Sequence, residues 1–424
     1  MVQTIALAGT LDSKGHEFAY VKSLIESLGF KTFTIHTGVF DPVFDPNVSN
    51  REVAAAAGED IEALSAKKDR GRATAALSKG MEKLLPQLYA QGKFDGILSL
   101  GGTGGTSMVA PGMRALPLHV PKVIVSTVAS GNTEPYIGIS DIIMIPSIVD
   151  VAGLNSISTR VFARAVFAVT GMVKCYHPEQ SDQKPLIGAT MFGLTTPCIQ
   201  VAKDFLEKRG YEVLVFHATG IGGRTLEHLI NSGLISGVLD MTTTEWADQL
   251  AGGILAAGAH RLEAAARRGI PQVVSVGALD MVNFGPYEMV PEKYRDRQLY
   301  RHNPTTTLMR TNLAENEQLG AVIADKLNHA QPGTAALLLP KKGLSGIDAP
   351  GQPFYGPAED QKLFDTLHAL VNAENIEVID RDEHMNDPSF AEAAAQTLLD
   401  LIDAQTRAPL CAAPPRDDCQ ATSL

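Results

Sequence analysis

Cysteine is scarce: four in 424 residues cannot staple a chain of this length, so a disulfide scaffold is excluded. No stretch holds about 18 uninterrupted apolar residues, which excludes a membrane-spanning helix. The first residues, MVQTIALAGT, lack a basic flank and carry too short an apolar run for a signal peptide, so a cytoplasmic protein with reduced thiols is expected. Basic residues are outnumbered 36 to 47, for a formal net charge of −11. A bulk electrostatic grip on nucleic acid or on an anionic membrane is therefore not expected, although a local basic pocket stays open. Cys175 and His177 lie close in sequence, but no second pair of similar spacing follows, so zinc is not expected. The single tryptophan, Trp246, reads as core.

Apolar residues make up 45% of the chain and charged residues 20%, an ordinary balance for a globular protein with two or three domains. Short apolar runs alternate with helical stretches. Residues 3–8 read as a strand, broken by GTLDSKG (9–15) and followed by a helix over 16–28 and a second strand over 31–36. Residues 94–100 read as a strand leading into GGTGGT (101–106), and 120–125 as another, ending in STVASGN (126–132). Such alternation predicts a parallel sheet covered on both faces.

The pattern recurs. GFKTFTIHTG (29–38) parallels GYEVLVFHATG (210–220), FDGILSL (94–100) parallels ISGVLDM (235–241), and VPKVIVSTVAS (120–130) parallels IPQVVSVGALD (270–280). These parallels predict an α/β protein made of two Rossmann-like, doubly wound subdomains, 1–180 and 181–404, produced by internal duplication. A helix starting near Ser158 is expected to pack between them, and 405–424 to form a disordered tail.

Ligands of open parallel sheets bind where strand ends feed helices. In the first half those loops are GTLDSKG, HTG, GGTGGT and STVASGN. Gly101, Gly102, Gly104 and Gly105 let backbone amides approach an anion, and Thr103, Thr106 and Ser107 add hydroxyls. Ser13 and Lys14 can converge on the same anion, and Asp12 can hold magnesium through water. The alternative is a glycine turn serving only strand–helix packing. Lys67, Lys68, Arg70 and Arg72 form a basic run that reads as a solvated helix face, from which Arg70 can reach a phosphate.

The second half replaces GGTGGT by TTTEWAD (242–248) and carries its glycine cluster in HATGIGGRTLE (217–227), a plausible anion cradle beside Arg224. Its strand-end loops, with the non-periodic RHNPTTTLMRT (301–311), offer His217, Glu245, Asp280, Asn283, His302, Asn303 and Arg310. His217, Glu245 or His302 could supply a general acid or base, and Arg310 could clamp an anionic metabolite. One cleft holding His217, Glu245, Asp280, His302 and Arg310 near the junction of the halves is the expectation. Helix capping and loop tying are the alternative for each residue alone.

GTLDSKG, GGTGGTS, LPLHVPKVIVSTVASG, GATMFGLTTP, FHATGIGGR, LDMTTTEWAD, GALDMVNFG, HNPTTTLMRT and LPKKGLSGIDAPGQPF together resemble the tobamovirus-resistance-like ATP-binding domain family over about residues 3–403. This bacterial and fungal family is similar to the N-terminal domain of a plant protein that inhibits a viral helicase. The resemblance implies ATP and Mg2+ in the first subdomain and a homodimer. It places the nucleotide on Gly9, Thr10, Asp12 and Lys14 and on Gly101, Gly102, Thr103, Gly104, Gly105, Thr106 and Ser107, with Ser130, Gly131 and Asn132 at the rim. His36 and Thr37 stand where the family usually carries an acidic residue, Ser13 where it has threonine, and His119 replaces a small residue. The expected function is ATP binding with a second site for a small anionic metabolite, leading to ATP-dependent transfer or hydrolysis. A non-catalytic ligand-binding or regulatory protein is the alternative.

Overall fold

In the computed structural model, residues 2–66, 69–175 and 184–407 are described. The first unit, residues 1–180, is built on strands β1 (Thr4–Gly9), β2 (Lys31–His36), β3 (Gly96–Gly101), β4 (Lys122–Ser126) and β5 (Ile143–Pro146). All pair in parallel, in the order β2-β1-β3-β4-β5. Its helices are α1 (Gly15–Ser27), α2 (Asn50–Ala56), α3 (Ile61–Ala66), α4 (Arg70–Ala90), α5 (Thr103–Arg114), α6 (Glu134–Ile137) and α7 (Ser158–Cys175).

The strands bury both faces, as a parallel sheet requires. Ile5, Leu7, Leu98, Val123 and Val125 pack on one face against Phe18 and Ile25 of α1 and Phe162, Val166 and Val169 of α7. Ala6, Ala8, Ile35, Ile97 and Ile124 face Leu77, Met81 and Leu85 of α4 and Val109 and Met113 of α5. The helix expected to pack between subdomains thus closes a face of the first unit's own sheet: its apolar residues at helical spacing match the β3–β4 surface.

The second unit, residues 181–424, carries β6 (Leu186–Met191), β7 (Glu212–His217), β8 (Gly237–Thr242), β9 (Gln272–Gly277), β13 (Ala335–Pro340) and β14 (Ile376–Arg381) in one parallel sheet. Their order is β14-β13-β9-β8-β6-β7. Counted within the unit this is 2-1-3-4-5-6, the same winding as the first, so both halves of the duplication are Rossmann-like. Helices α8 (Thr196–Glu207) and α14 (Pro388–Arg407) pack on one face. α9 (Ile221–Asn231), α10 (Glu245–Ala251), α11 (Ala264–Arg268), α12 (Leu313–Leu327) and α13 (Pro357–Leu370) complete the unit, with α9 and α11 packing together in a separate apolar cluster.

Two expectations are corrected. RHNPTTTLMRT is not irregular: β11 (Leu299–Asn303) and β12 (Thr306–Arg310) form a hairpin, and β10 (Met281–Phe284) adds to it antiparallel. Asn303 makes its turn by accepting the Thr305 amide at 2.9 Å. Leu308 and Met309 are buried while Arg301, His302 and Asn303 are exposed, so no simple alternation marks the pair. Residues 405–407, expected in the tail, complete α14; residues 408–424, like Lys67, Lys68 and His177, lie outside the described residues. No helix among the described residues is long and apolar enough to cross a membrane.

Candidate functional site

In the first unit β1 and β3 are neighbours. The helices that follow them, α1 and α5, lie on opposite faces of the sheet. The gap between their loops is therefore the topological switch point, where open α/β sheets bind ligands. A cavity of about 630 Å³, within the usual range for small-molecule sites, opens beside the β1 loop; it touches α5 through Met108, and none of residues 101–107 lines it. It is lined by Thr10, Asp12 and Ser13 of the loop after β1, Gly38, Val39 and Phe40 of the loop after β2, Ser65, Asp69, Arg70 and Thr74 around α3 and α4, and Met108 of α5.

His36 organises the first two loops. Its side chain is buried, and Nδ1 accepts the Leu11 amide at 3.1 Å and the Gly38 amide at 3.2 Å. With Nδ1 an acceptor, Nε2 carries the proton and donates to the Phe40 carbonyl at 2.8 Å. Asp12 completes the tie: Oδ1 accepts from Ser13 N at 2.6 Å and Oδ2 from Phe40 N at 3.1 Å. A Cβ on Gly38 would lie 2.3 Å from the Asp12 oxygens, so only glycine lets the loops meet. His36 thus stands where the family's acidic residue was expected and acts on the protein's own backbone.

Gly102 is the N-cap of α5, without a side-chain cap. The amides of that first turn have no capping oxygen, which leaves them for solvent or an anion. Thr103 is exposed at this end. Thr106 and Ser107 are not free donors as expected. Thr106 Oγ1 is buried, bonded to Gly102 O at 2.8 Å and to Ser126 Oγ at 2.7 Å, and Ser107 Oγ donates to Thr103 O at 2.8 Å. A Cβ on Gly101 would come 3.3 Å from Gly105, whereas Gly105 itself has room. Gly9 serves packing, since a Cβ there would lie 2.2 Å from the Phe18 ring. Lys14 is the N-cap residue of α1 and has no ion-pair partner among the described residues. Ser130, Gly131 and Asn132 do not line the cavity; they follow β4, and Asn132 Oδ1 accepts the Glu134 amide at 3.1 Å.

The second unit does not gather its five predicted residues. Glu245 is buried and fills the glycine cradle from within: Oε1 accepts Gly220 N at 2.8 Å and Gly223 N at 3.0 Å. Its other oxygen takes Arg261 Nε at 2.6 Å, and Arg261 Nη2 reaches Asp240 Oδ1 at 2.6 Å. Glu227 faces the same guanidinium at 3.6 Å and accepts Leu262 N and Ala264 N. Burial raises the Glu227 carboxyl, against the pull of Arg261. Sequence reasoning found the cradle but missed Arg261 and Asp240, because neither lies in a glycine- or hydroxyl-rich loop.

Asp280 and Arg310 belong to a different buried network. Arg310 donates to Phe354 O at 2.8 Å, Gly356 O at 3.1 Å, Thr311 Oγ1 at 3.1 Å and Asp360 Oδ1 at 2.7 Å, with Asp348 at 3.8 Å. It is therefore not available to clamp a metabolite. Asp280 Oδ2 accepts Ser345 Oγ at 2.8 Å, while Oδ1 has no partner. Burial, then Asp348, pushes the Asp280 and Asp360 carboxyls well above the usual range. Asn283 belongs to a third site, donating Nδ2 to Asp248 Oδ2 at 2.8 Å. His217 and His302 are exposed on β7 and β11, beside the rings of Phe192 and Tyr300 respectively. Trp246 lies in the core. Among the described residues no group of three or more His, Cys, Asp or Glu is placed to hold a metal.

The profiles of the Uncharacterised protein family (UPF0261) N-terminal and C-terminal domains match residues 3–178 and 184–402. The chain belongs to the UPF0261 family. It is 51% identical over 404 residues to a UPF0261 protein of Clostridium tetani, covering 95% of this chain and all of that one. A UPF0261 protein of Rhizobium meliloti is 45% identical over 403 residues, with 95% and 100% covered. The ToMV susceptible protein tm-1(GCR26) of Solanum lycopersicum is 40% identical over 418 residues, covering 93% of this chain and 55% of the plant protein. Among solved structures, a putative UDP-N-acetylglucosamine 2-epimerase from Listeria monocytogenes matches at 11% identity with a TM-score of 0.24, over 65% of this chain and 79% of that one, too slight a likeness to carry an argument.

Proposed function

We propose that this UPF0261 protein binds ATP at the β1–β3 switch point of its first unit, with its phosphates on the N-terminal turn of α5 and Mg2+ beside Asp12. One observation carries this reading: a 630 Å³ cavity bordered by Asp12 lies beside a helix whose N-terminus has no side-chain cap. Asp12 suits a hydrated magnesium ion, because each oxygen accepts a single backbone N–H and has further acceptor capacity. A magnesium ion bound with phosphates needs only one or two protein carboxylates. Asp12 would hold such an ion, which would offset the charge of the phosphates. Thr10, Asp12, Lys14, Gly101, Gly102, Thr103 and Gly104 are the nucleotide-binding residues of this proposal, and Ser130, Gly131 and Asn132, which do not line the cavity, are left out.

The reading stops at binding. Glu245 and Arg310 are buried and engaged by groups of the protein itself, which favours the ligand-binding alternative over transfer or hydrolysis. The homodimer implied by the resemblance is part of the proposal and is measured by sedimentation. The binding test is calorimetry with ATP, with and without Mg2+, on wild type and Asp12→Asn. Wild type should bind more tightly with the metal, and Asp12→Asn should lose most of that gain. An identical metal dependence in both proteins removes Asp12 from the site, and an absence of ATP binding by wild type removes the site.

A further inference from the structure

We propose that Arg70 is the side chain that grips the phosphates from the wall facing α5, an inference that rests on the nucleotide-binding reading. Arg70 opens α4 and lines the same cavity as Asp12. Its Nη2 lies 3.2 Å from where a Cβ on Gly104 would stand, so the guanidinium already lies over the first turn of α5. An anion resting on those amides would have the backbone on one side and a planar, permanently charged fork on the other.

The neighbouring arginines show that this placement is not ordinary surface pairing. Arg51 Nη2 meets Glu62 at 2.8 Å and Arg72 Nη2 meets Glu59 at 3.5 Å. Arg70 has no such carboxylate among the described residues. The nearest candidate in sequence, Asp69, caps α4 by accepting the Arg72 amide at 3.0 Å. Asp12 and Asp69 both border the cavity, so a polyphosphate entering it meets two carboxylates. A cation on the wall offsets that repulsion, and Arg70 is the arginine among the lining residues. In the sequence Arg70 sits in a basic run typical of a solvated face. The fold carries it to the glycine-rich loop 34 positions further along the chain.

The test uses the full chain and Mg·ATP as the probe, with wild type, Arg70→Ala and Arg70→Lys. Arg70→Ala should weaken ATP binding roughly ten- to a hundredfold, as expected for loss of a charge-assisted contact, and should flatten its dependence on salt. Arg70→Lys keeps the charge without the fork and should recover part of the affinity. Thermal midpoints should not move, because Arg70 is exposed and has no ion-pair partner among the described residues. Wild-type affinity in Arg70→Ala overturns the role of Arg70 while leaving the nucleotide site in place. Weakened binding with an unchanged salt dependence also overturns it, since the effect would not be ionic. No ATP binding by wild type removes the site itself, and the inference with it.

Discussion

Glu245 and Arg261 meet at 2.6 Å with both side chains buried, and the Glu245 carboxylate occupies the amide cradle formed by Gly220 and Gly223. The second unit therefore supplies its own anion at the place where its sequence suggests a ligand. A Cβ on Gly223 would lie 2.2 Å from Glu245 Oε2 and 2.6 Å from Arg261 Nε, so the glycine is required by this internal pair.

Removing the cation should be far worse than neutralising the acid. Arg261→Ala leaves Asp240, Glu245 and Glu227 without their shared partner in a largely buried site. The expected loss is about 3–5 kcal/mol of stability, read from urea unfolding. Glu245→Gln keeps an oxygen for the cradle and should cost about 1–3 kcal/mol. Equal effects of the two substitutions would mean that the pair does not organise the unit.

Gly104→Val should abolish ATP binding with little change in thermal midpoint. The first atom it meets is the far end of the Arg70 side chain, which can swing away, so the fold can accept the substitution. The new side chain then occupies the space above the α5 amides. Calorimetry beside a thermal melt separates the two effects, and unchanged affinity would take the loop out of the site.

His36→Phe keeps the ring's bulk but removes the acceptor for Leu11 N and Gly38 N. Each stranded amide costs about 1–3 kcal/mol if it stays buried. The loops on either side of the cavity should loosen, with faster hydrogen exchange at Leu11 and Gly38 and weaker ATP binding. Retained protection at both amides would show that His36 does not hold the loops.

Stability should depend on pH through Asp248, which burial pushes up to about 7 despite accepting bonds from Asn283 and Leu255. An unfolded aspartate titrates near ~4, so between about pH 4 and 7 the folded state holds a proton that the unfolded chain has released. This group's contribution therefore falls as pH rises through that window, by at most about 1.4 kcal/mol per pH unit. Asp280 and Asp360, also raised, act in the same direction. Asp248→Asn does not titrate, and a half-turn of the Asn283 amide lets its unpartnered Oδ1 accept the new N–H. Melts from pH 5 to 8 should show a flatter profile for Asp248→Asn and a higher midpoint than wild type at pH 8. Parallel profiles would rule out titration of Asp248.

The alternation of apolar runs and helical stretches determined the two doubly wound sheets. Parallel strands buried on both faces must be continuously apolar, and that signal is local. The repeats made the duplication legible for the same reason, and of the loops read at the first unit's strand ends GTLDSKG and HTG contribute to the cavity lining. The hairpin of β11 and β12 was not legible, because its buried and exposed residues follow contacts with β10 and with the loop around Phe354. Only the tertiary structure decided whether a cradle faces solvent or a carboxylate of the same chain. GGTGGT and GIGG look alike as sequence. One opens beside a cavity; the other closes on Glu245, because Arg261, 16 positions further along the chain, stabilises that charge in the core. Hydrogen-bonding capacity belongs to residue types, but whether it is already satisfied depends on which residues the fold brings within 3 Å.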